Sequence, residues 1–383
     1  MPTLPVKRGI LSSAVWKLLE YAPLTAEASM DRLHYIASSI ANWRVPVIRC
    51  TGTHPETGKA VAVIVADNQP SAEHFIRHMA GIDFRTEELG KVPVWKLPGF
   101  FTEHGSDTTM SIAHINSRLG HLLFTGKQLH VPECLGTRLT VPDHGEATSR
   151  ARRSQASNLR RFHRNGLDWE VSRSLDEFDD FYHKMYVPFT LARHGDAATI
   201  RSYSRLRNYM LHGGIIWVLH NGRRISGDLF AESGDTLYWI CTGTDHGHEE
   251  PVSLGATSAI YIFGVQYARQ AGLGQLDLGV CRPSLRDGIL AHKKRWGAEL
   301  RPSTRCQHSL IIQWENWSEE LAHFLWHTAP VIQDEDGLTG IVSVPDRSPE
   351  PEILQKELLG PGIRGLKILD GETTISVKNR TGV

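Results

Sequence analysis

The chain has 383 residues, 40% hydrophobic and 22% charged, which suits a globular protein with enough apolar material for two modest cores. Its 42 Lys plus Arg balance 42 Asp plus Glu, so no overall field draws it to nucleic acid or membrane, and any attraction for phosphate must be local. The 20 His let that balance move as pH falls.

The first twenty residues are too polar for a signal peptide and no later run has the length of a membrane span, so the expectation is a cytoplasmic chain without a span. Five widely spaced Cys without a CxxC, at 50, 134, 241, 281 and 306, read as buried thiols rather than as a disulfide framework or zinc knuckle. Helical patterns cover Ser13–Tyr21 and Thr25–Ala41. VPVIRCTG and KAVAVIVADN then read as two β-branched strands joined across HPETG. A helix, SAEHFIRHMAGI, and strand-like pieces VPVWKLP, GHLLFTG and TRLTVP complete an α/β unit that ends near Pro142-Asp143.

From Ser149 a basic helix, SRARRSQASNLRRFHRNG, is closed by Gly166 in a left-handed cap and leads into the strand LDWEVSR. Ser174-x-x-Glu177 has the form of a capping box opening a helix whose apolar face is Phe178, Phe181, Tyr182 and Met185. A second helix runs from Thr199 to His212. GIIWVLH, RISGDLFA and TLYWICT then form an antiparallel meander turned by Asn221-Gly222 and Ser233-Gly234-Asp235. A long apolar helix over SLGATSAIYIFGVQYARQAGL connects the meander to the strand QLDLG, which therefore pairs in parallel with its predecessor. DGILAHKKRW reads as a helix, HSLIIQW as a strand and Ser318–His327 as a helix. VIQDEDGLTGIVSVPDRSPEPE is acidic and proline-punctuated, and GLKILDGETTISV is a hairpin about Asp370-Gly371.

The motifs NLRRFHRNGL, LYWICTGT, a strand ending in Asp277-Leu278-Gly279, and DGILAHKKRWGAE with Lys293-x-x-Trp296-Gly297 resemble the FemAB-like branch of the GNAT acyltransferase superfamily, over about residues 148–330. The resemblance implies a mixed α/β (α+β) fold in which GNAT-type sheets are flanked by helices. It implies two such units, the second the clearer: an N-terminal domain over 1–147, an acyltransferase domain over 148–330 and a C-terminal extension over 331–383. It also implies transfer of an acyl or aminoacyl group to an amine. The stretch matching the CoA-binding loop is Val252-Ser253-Leu254-Gly255, with valine where the family has a basic or amide residue, and His292 stands where the family has an aromatic.

Chemistry then assigns candidates. Lys293 would stabilise the oxyanion or a donor phosphate, and Asp277 would orient the amine or take its proton, unless it caps the next loop. Arg160 and Arg161 suit phosphate. Strand alternation turns one of Tyr238 and Trp239 toward the cleft, Thr242 follows on the same strand, and Trp296 either seals its helix onto the sheet or joins the site with His292. Ser253, Leu254 and Gly255 would meet the donor. Cys241 is a candidate nucleophile, although GNAT-type transfer is usually direct. Asp245-His246-Gly247-His248 offers His-x-His spacing, but no residue elsewhere in the sequence completes a recognisable metal set. The expected function is N-acyl transfer with no tightly bound cofactor. The donor would be aminoacyl-tRNA, acyl carrier protein or acyl-CoA, the acceptor a small-molecule or peptide amine, and tRNA or a carrier protein the macromolecular partner. The alternative is a non-catalytic binding module on the same scaffold.

Overall fold

The computed structural model describes residues 43–142 and 156–378, apart from 69, 127, 196–197, 304–305, 335–336, 346–350 and 372. The helices expected before residue 42, and Arg150, Arg152 and Arg153 of the basic helix, lie outside the described residues. The first half contains β1 (Arg44–Thr53), β2 (Ala60–Ala66), α1 (Glu73–Ala80), β3 (Arg85–Pro93), α2 (Leu97–His104), β4 (Met110–Asn116), α3 (Ser117–Leu123), β5 (Gln128–Pro132) and β6 (Leu135–Thr140). Next come α4 (Ala156–Arg164), β7 (Asp168–Ser172), α5 (Leu175–Asp180), a π-turn over Phe181–Tyr186, α6 (Val187–His194) and α7 (Tyr203–Leu211). The meander is β8 (Gly213–His220), β9 (Arg223–Ser233) and β10 (Thr236–Thr244), followed by α8 (Glu250–Leu254), α9 (Ala256–Gln270), β11 (Gln275–Cys281), α10 (Gly288–Arg295), β12 (Glu299–Pro302), β13 (His308–Gln313) and α11 (Glu319–Thr328). The chain closes with β14 (Val331–Asp334), β15 (Gly337–Ser343), α12 (Pro351–Leu358), β16 (Ile363–Asp370) and β17 (Thr373–Lys378).

Two large mixed sheets are built to one plan. The first runs β3-β1-β2-β4-β13-β5 and the second β7-β8-β9-β10-β11-β6-β12. Each is antiparallel up to a single parallel step, β2 to β4 in the first and β10 to β11 in the second, and antiparallel beyond it. The strand after the parallel step comes in each case from the other half of the sequence: β13 enters the first sheet and β6 the second. The same plan is thus present twice, with a reciprocal exchange of strands between the two halves. HSLIIQW, a strand within the 148–330 stretch, pairs with β4 on one edge and β5 on the other.

Period-two alternation sorts the core of the second sheet. Ile216, Val218, Phe230 and Leu237 pack toward α9, and Ile215, Trp217, Leu229 and Ala231 pack toward α5, the π-turn and α7. The third sheet, β14-β15-β16-β17, covers Leu285, Leu290 and Leu300 of the second unit. Its β14–β15 hairpin was not signalled by the acidic composition of that segment.

Three local expectations are corrected. GHLLFTG is the end of a helix, because the Asn116 side chain accepts from the Leu119 amide at 2.9 Å and launches α3. Helix α5 does begin after Ser174, but Ser174 makes no side-chain cap; Glu177 instead accepts from Arg224 at 3.0 Å and from the Trp217 indole at 3.3 Å. The cysteines are not all thiols: Cys134 and Cys306 form a disulfide between the β5–β6 link and the approach to β13. Spacing along the chain hides the pair because 172 residues separate its members.

That disulfide closes the crossing from one sheet to the other, and loop-closure entropy for so long a span puts its contribution at roughly 4–5 kcal/mol. A non-reduced peptide map should contain the Cys134–Cys306 cross-link, and reductant should lower the melting temperature by several degrees. Equal melting with and without reductant would remove the bond from the account of stability. Its state in the producing cell also reports on the cytoplasmic expectation, since such pairs persist where thiols are oxidised.

Candidate functional site

The site begins where two strands part. β10 and β11 pair in parallel over only three positions, Thr236 with Gln275, Leu237 with Leu276 and Tyr238 with Asp277. Beyond that point both strands are irregular: β10 bulges against β9 between Trp239 and Cys241, skipping Ile240, and β11 loses register with β6 between Asp277 and Val280. Gly279, at φ 74°, supplies the left-handed residue of that second irregularity. Diverging parallel strands leave a crevice at their C-terminal ends, where ligands commonly bind.

On the α9 side of this splay lies a buried polar and aromatic cluster. Asp228 sits in the middle of β9, 1% exposed, and the Thr242 hydroxyl donates to its Oδ1 at 2.5 Å. Its Oδ2 has no hydrogen-bond partner among the described residues. Burial pushes this carboxyl up to about 8, with the Thr242 bond opposing only weakly. Above it the Tyr261 ring stacks on Trp296 at 4.9 Å and meets Trp239 edge-on at 4.5 Å, with His292 at 5.1 Å. Burial, then the nearby Asp228, raises the Tyr261 phenol, so it stays protonated. The indole nitrogens of Trp239 and Trp296 are buried and have no hydrogen-bond partner among the described residues. Gly264 makes room for the cluster, since a Cβ there would lie 2.8 Å from the Trp239 ring.

Asp277 and Lys293 do not meet in one cleft. Asp277 pairs with Arg138 in the β6–β11 register and is ion-paired to Arg301, whose stem lies over Gly136. Thr137, between those two positions, points to the opposite face. Lys293 donates to the Thr137 hydroxyl at 3.1 Å and to the Val280 carbonyl at 3.0 Å, on the α9 face, and is 6% exposed. Burial lowers its pKa. The two catalytic candidates therefore secure the β6–β11 seam from opposite faces of the sheet, and each holds the end of β11 in place.

The remaining candidates divide similarly. Trp239, Thr242, His292 and Trp296 join the cluster, while Tyr238 turns to the other face, toward the core of α5 and α7. Arg161 extends along Gly255 at the N-terminus of α9, where an added Cβ would touch its Cδ at 3.4 Å. Asn165 donates to the Leu254 carbonyl at 2.8 Å, which seats the basic helix α4 on that loop. Arg160 and Ser253 are exposed. Cys241 is half-buried, and its thiol is pushed up, mainly by desolvation, which opposes a nucleophilic role. In the Asp245–His248 loop, Asp245 is ion-paired to Arg223.

Sequence reasoning missed Asp228 and Tyr261. A signal was present for the first: an aspartate inside the apolar run RISGDLFA, on the same side of the strand as Phe230, has to be buried by alternation. Tyr261 looked like one more apolar position of a long helix.

No protein-family model matches the chain, and no curated protein matches its sequence. Among solved structures, FemX superposes with a TM-score of 0.38 at 12% identity, covering 79% of this chain and 96% of that one. L-PGS from Bacillus licheniformis does so at 0.34 and 10% identity, covering 72% and 87%, and a GCN5-related N-acetyltransferase from Kribbella flavida at 0.28 and 16%, covering 74% and 93%. These are likenesses of arrangement alone.

Proposed function

We propose that the chain transfers an acyl or aminoacyl group from an activated donor to an amine, forming an amide, at the splay between β10 and β11. The observation that carries this reading is Asp228, a buried carboxyl raised to about 8 with one bare oxygen, on the strand beside β10 where β10 leaves its parallel partner. An amine attacks only as its proton departs, and a base is most effective when its pKa lies near the working pH.

In this reading the amine nitrogen attacks the acyl carbon, the carbonyl pair moves onto oxygen, and the proton released from nitrogen passes to the Asp228 carboxylate. Collapse of the oxyanion expels the donor's thiolate or alkoxide, which receives that proton. The indole N–H groups of Trp239 and Trp296, buried in the cluster beside Asp228, would be the donors to the oxyanion. Arg160 and Arg161, with the N-terminal amides of α9 beside Ser253, Leu254 and Gly255, would hold the phosphate that aminoacyl-tRNA, carrier-bound phosphopantetheine and CoA all carry. Lys293 and Asp277 act in this scheme as positioning residues, keeping β11 against β6.

The direct test is incubation with aminoacyl-tRNA, acyl-carrier and acyl-CoA donors and a panel of small-molecule and peptide amines, with amide products sought by mass spectrometry. With an active pair in hand, kcat/KM should rise with pH through a midpoint near 8 and level off above it, and Asp228→Asn should lower it by about a hundredfold or more and flatten the profile. A variant with wild-type rate and profile removes Asp228 from the mechanism.

The same group has a stability consequence. Its folded pKa lies above the ordinary carboxylate value near 4, so between about pH 4 and 8 the unfolded chain ionises it and the folded chain does not. Stability from this residue falls as pH rises through that window. The melting temperature of Asp228→Asn should therefore gain on wild type from pH 5 to pH 8; a constant difference would mean the carboxyl is not raised.

Replacing Arg160 and Arg161 together by glutamine should raise the donor's KM severalfold at low salt, with a smaller effect at high salt, and leave kcat nearly unchanged. Equal KM values for wild type and variant across ionic strength would make the pair a solvated surface.

A further inference from the structure

We propose that His114, His308 and Glu133 form a binding site for one divalent transition-metal ion, zinc by the class of its donors, which pins the exchanged strand β13 in the first sheet. Four neighbouring segments each bring one side chain to the same end of that sheet: Asp67 just after β2, His114 on β4, His308 at the start of β13 and Glu133 just after β5. His114 and His308 share a face because His114 registers with Leu310, two residues along from His308. Their rings are 4.9 Å apart, and the Glu133 amide donates to the His308 carbonyl at 3.0 Å, holding the two segments together.

His114 is 6% exposed, and its Nδ1 lies 2.9 Å from Asp67 Oδ1. That contact orients the ring and leaves Nε2 as the nitrogen directed to the cluster, buried, without a hydrogen-bond partner and 3.7 Å from Glu133 Oε1. One donor atom from each of His114, Glu133 and His308 lies within 4.8 Å of the other two, a spread that a small closure brings to the roughly 2 Å ligand distances of zinc. A carboxylate behind a ligating imidazole is the usual outer support of such a site. Without an ion, a proton shared by His114 with Asp67 and Glu133 satisfies the same atoms, so the experiment has to separate the two occupants.

A second group, His323 and His327 one turn apart on α11 with Glu56, also meets the distance requirement. It is far more open, with the His327 and Glu56 side chains 39% and 51% exposed, and it serves as the control.

The full chain, stripped with chelator and dialysed, is titrated with zinc by calorimetry and with cobalt(II) by visible absorption. His308→Gln, Glu133→Gln and His327→Gln are treated identically, each first checked for an unchanged zinc-free melt; His114 is left intact because its buried ion pair supports the fold. One equivalent should bind wild type, weakened at least tenfold by His308→Gln and by Glu133→Gln and unchanged by His327→Gln, with zinc raising the melting temperature of wild type but not of His308→Gln. Absence of zinc binding, equal affinity in wild type and the first two variants, or loss confined to His327→Gln would overturn the assignment.

Discussion

The amide and carbonyl groups of β13 are satisfied on one edge by β4 and on the other by β5, both from the opposite half of the sequence. Taking that strand away would strip two rows of buried hydrogen bonds and open the core formed by Ile112, Val131, Leu310 and Ile312. The reverse graft is equally deep, since β6 lies between β11 and β12. Neither sheet can be completed by its own half, so the two units fold as one body. Cys134 and Cys306 sit at the crossing and join the two exchanged segments covalently.

The geometry of the splay follows from this exchange. β11 is held on its outer edge by a strand from the first unit, and two charged residues secure that contact from opposite faces: Asp277 through Arg301, and Lys293 through Thr137 and the Val280 carbonyl. Breaking either contact would leave a buried charge, Asp277 or Lys293, without its partner, which suits a register that must not slip. With β11 fixed on that side and bulged on leaving β10, the opening between them becomes a permanent feature of the sheet. Asp228 is then left in a wall of apolar side chains with a single hydroxyl partner, and burial alone raises its pKa.

Charge is neutral overall yet sharply local. The described part of the basic helix ends on Arg160, Arg161 and Arg164, and Asn165 anchors it beside the N-terminus of α9. A helix N-terminus and guanidinium groups reinforce one another for phosphate because both present N–H donors with positive charge.

Much of the second unit was legible in the sequence because its signals are local. The meander followed from alternation and from the Asn221-Gly222 turn, α9 from a long apolar run, and the parallel β11 from the crossover it demands. The Lys293-x-x-Trp296 motif drew attention to α10, and Trp296 does join the aromatic cluster. What sequence alone determined was which segments are strands or helices and which of their faces are apolar. Which strands become neighbours, that Asp277 and Lys293 point to opposite faces, that Cys134 finds Cys306, and that Asp67, His114, Glu133 and His308 line up across four segments were decided only in the tertiary structure. Those pairings join residues from tens to more than a hundred and fifty positions apart, and propensity or periodicity within one segment carries no information about which distant edge will satisfy its hydrogen bonds.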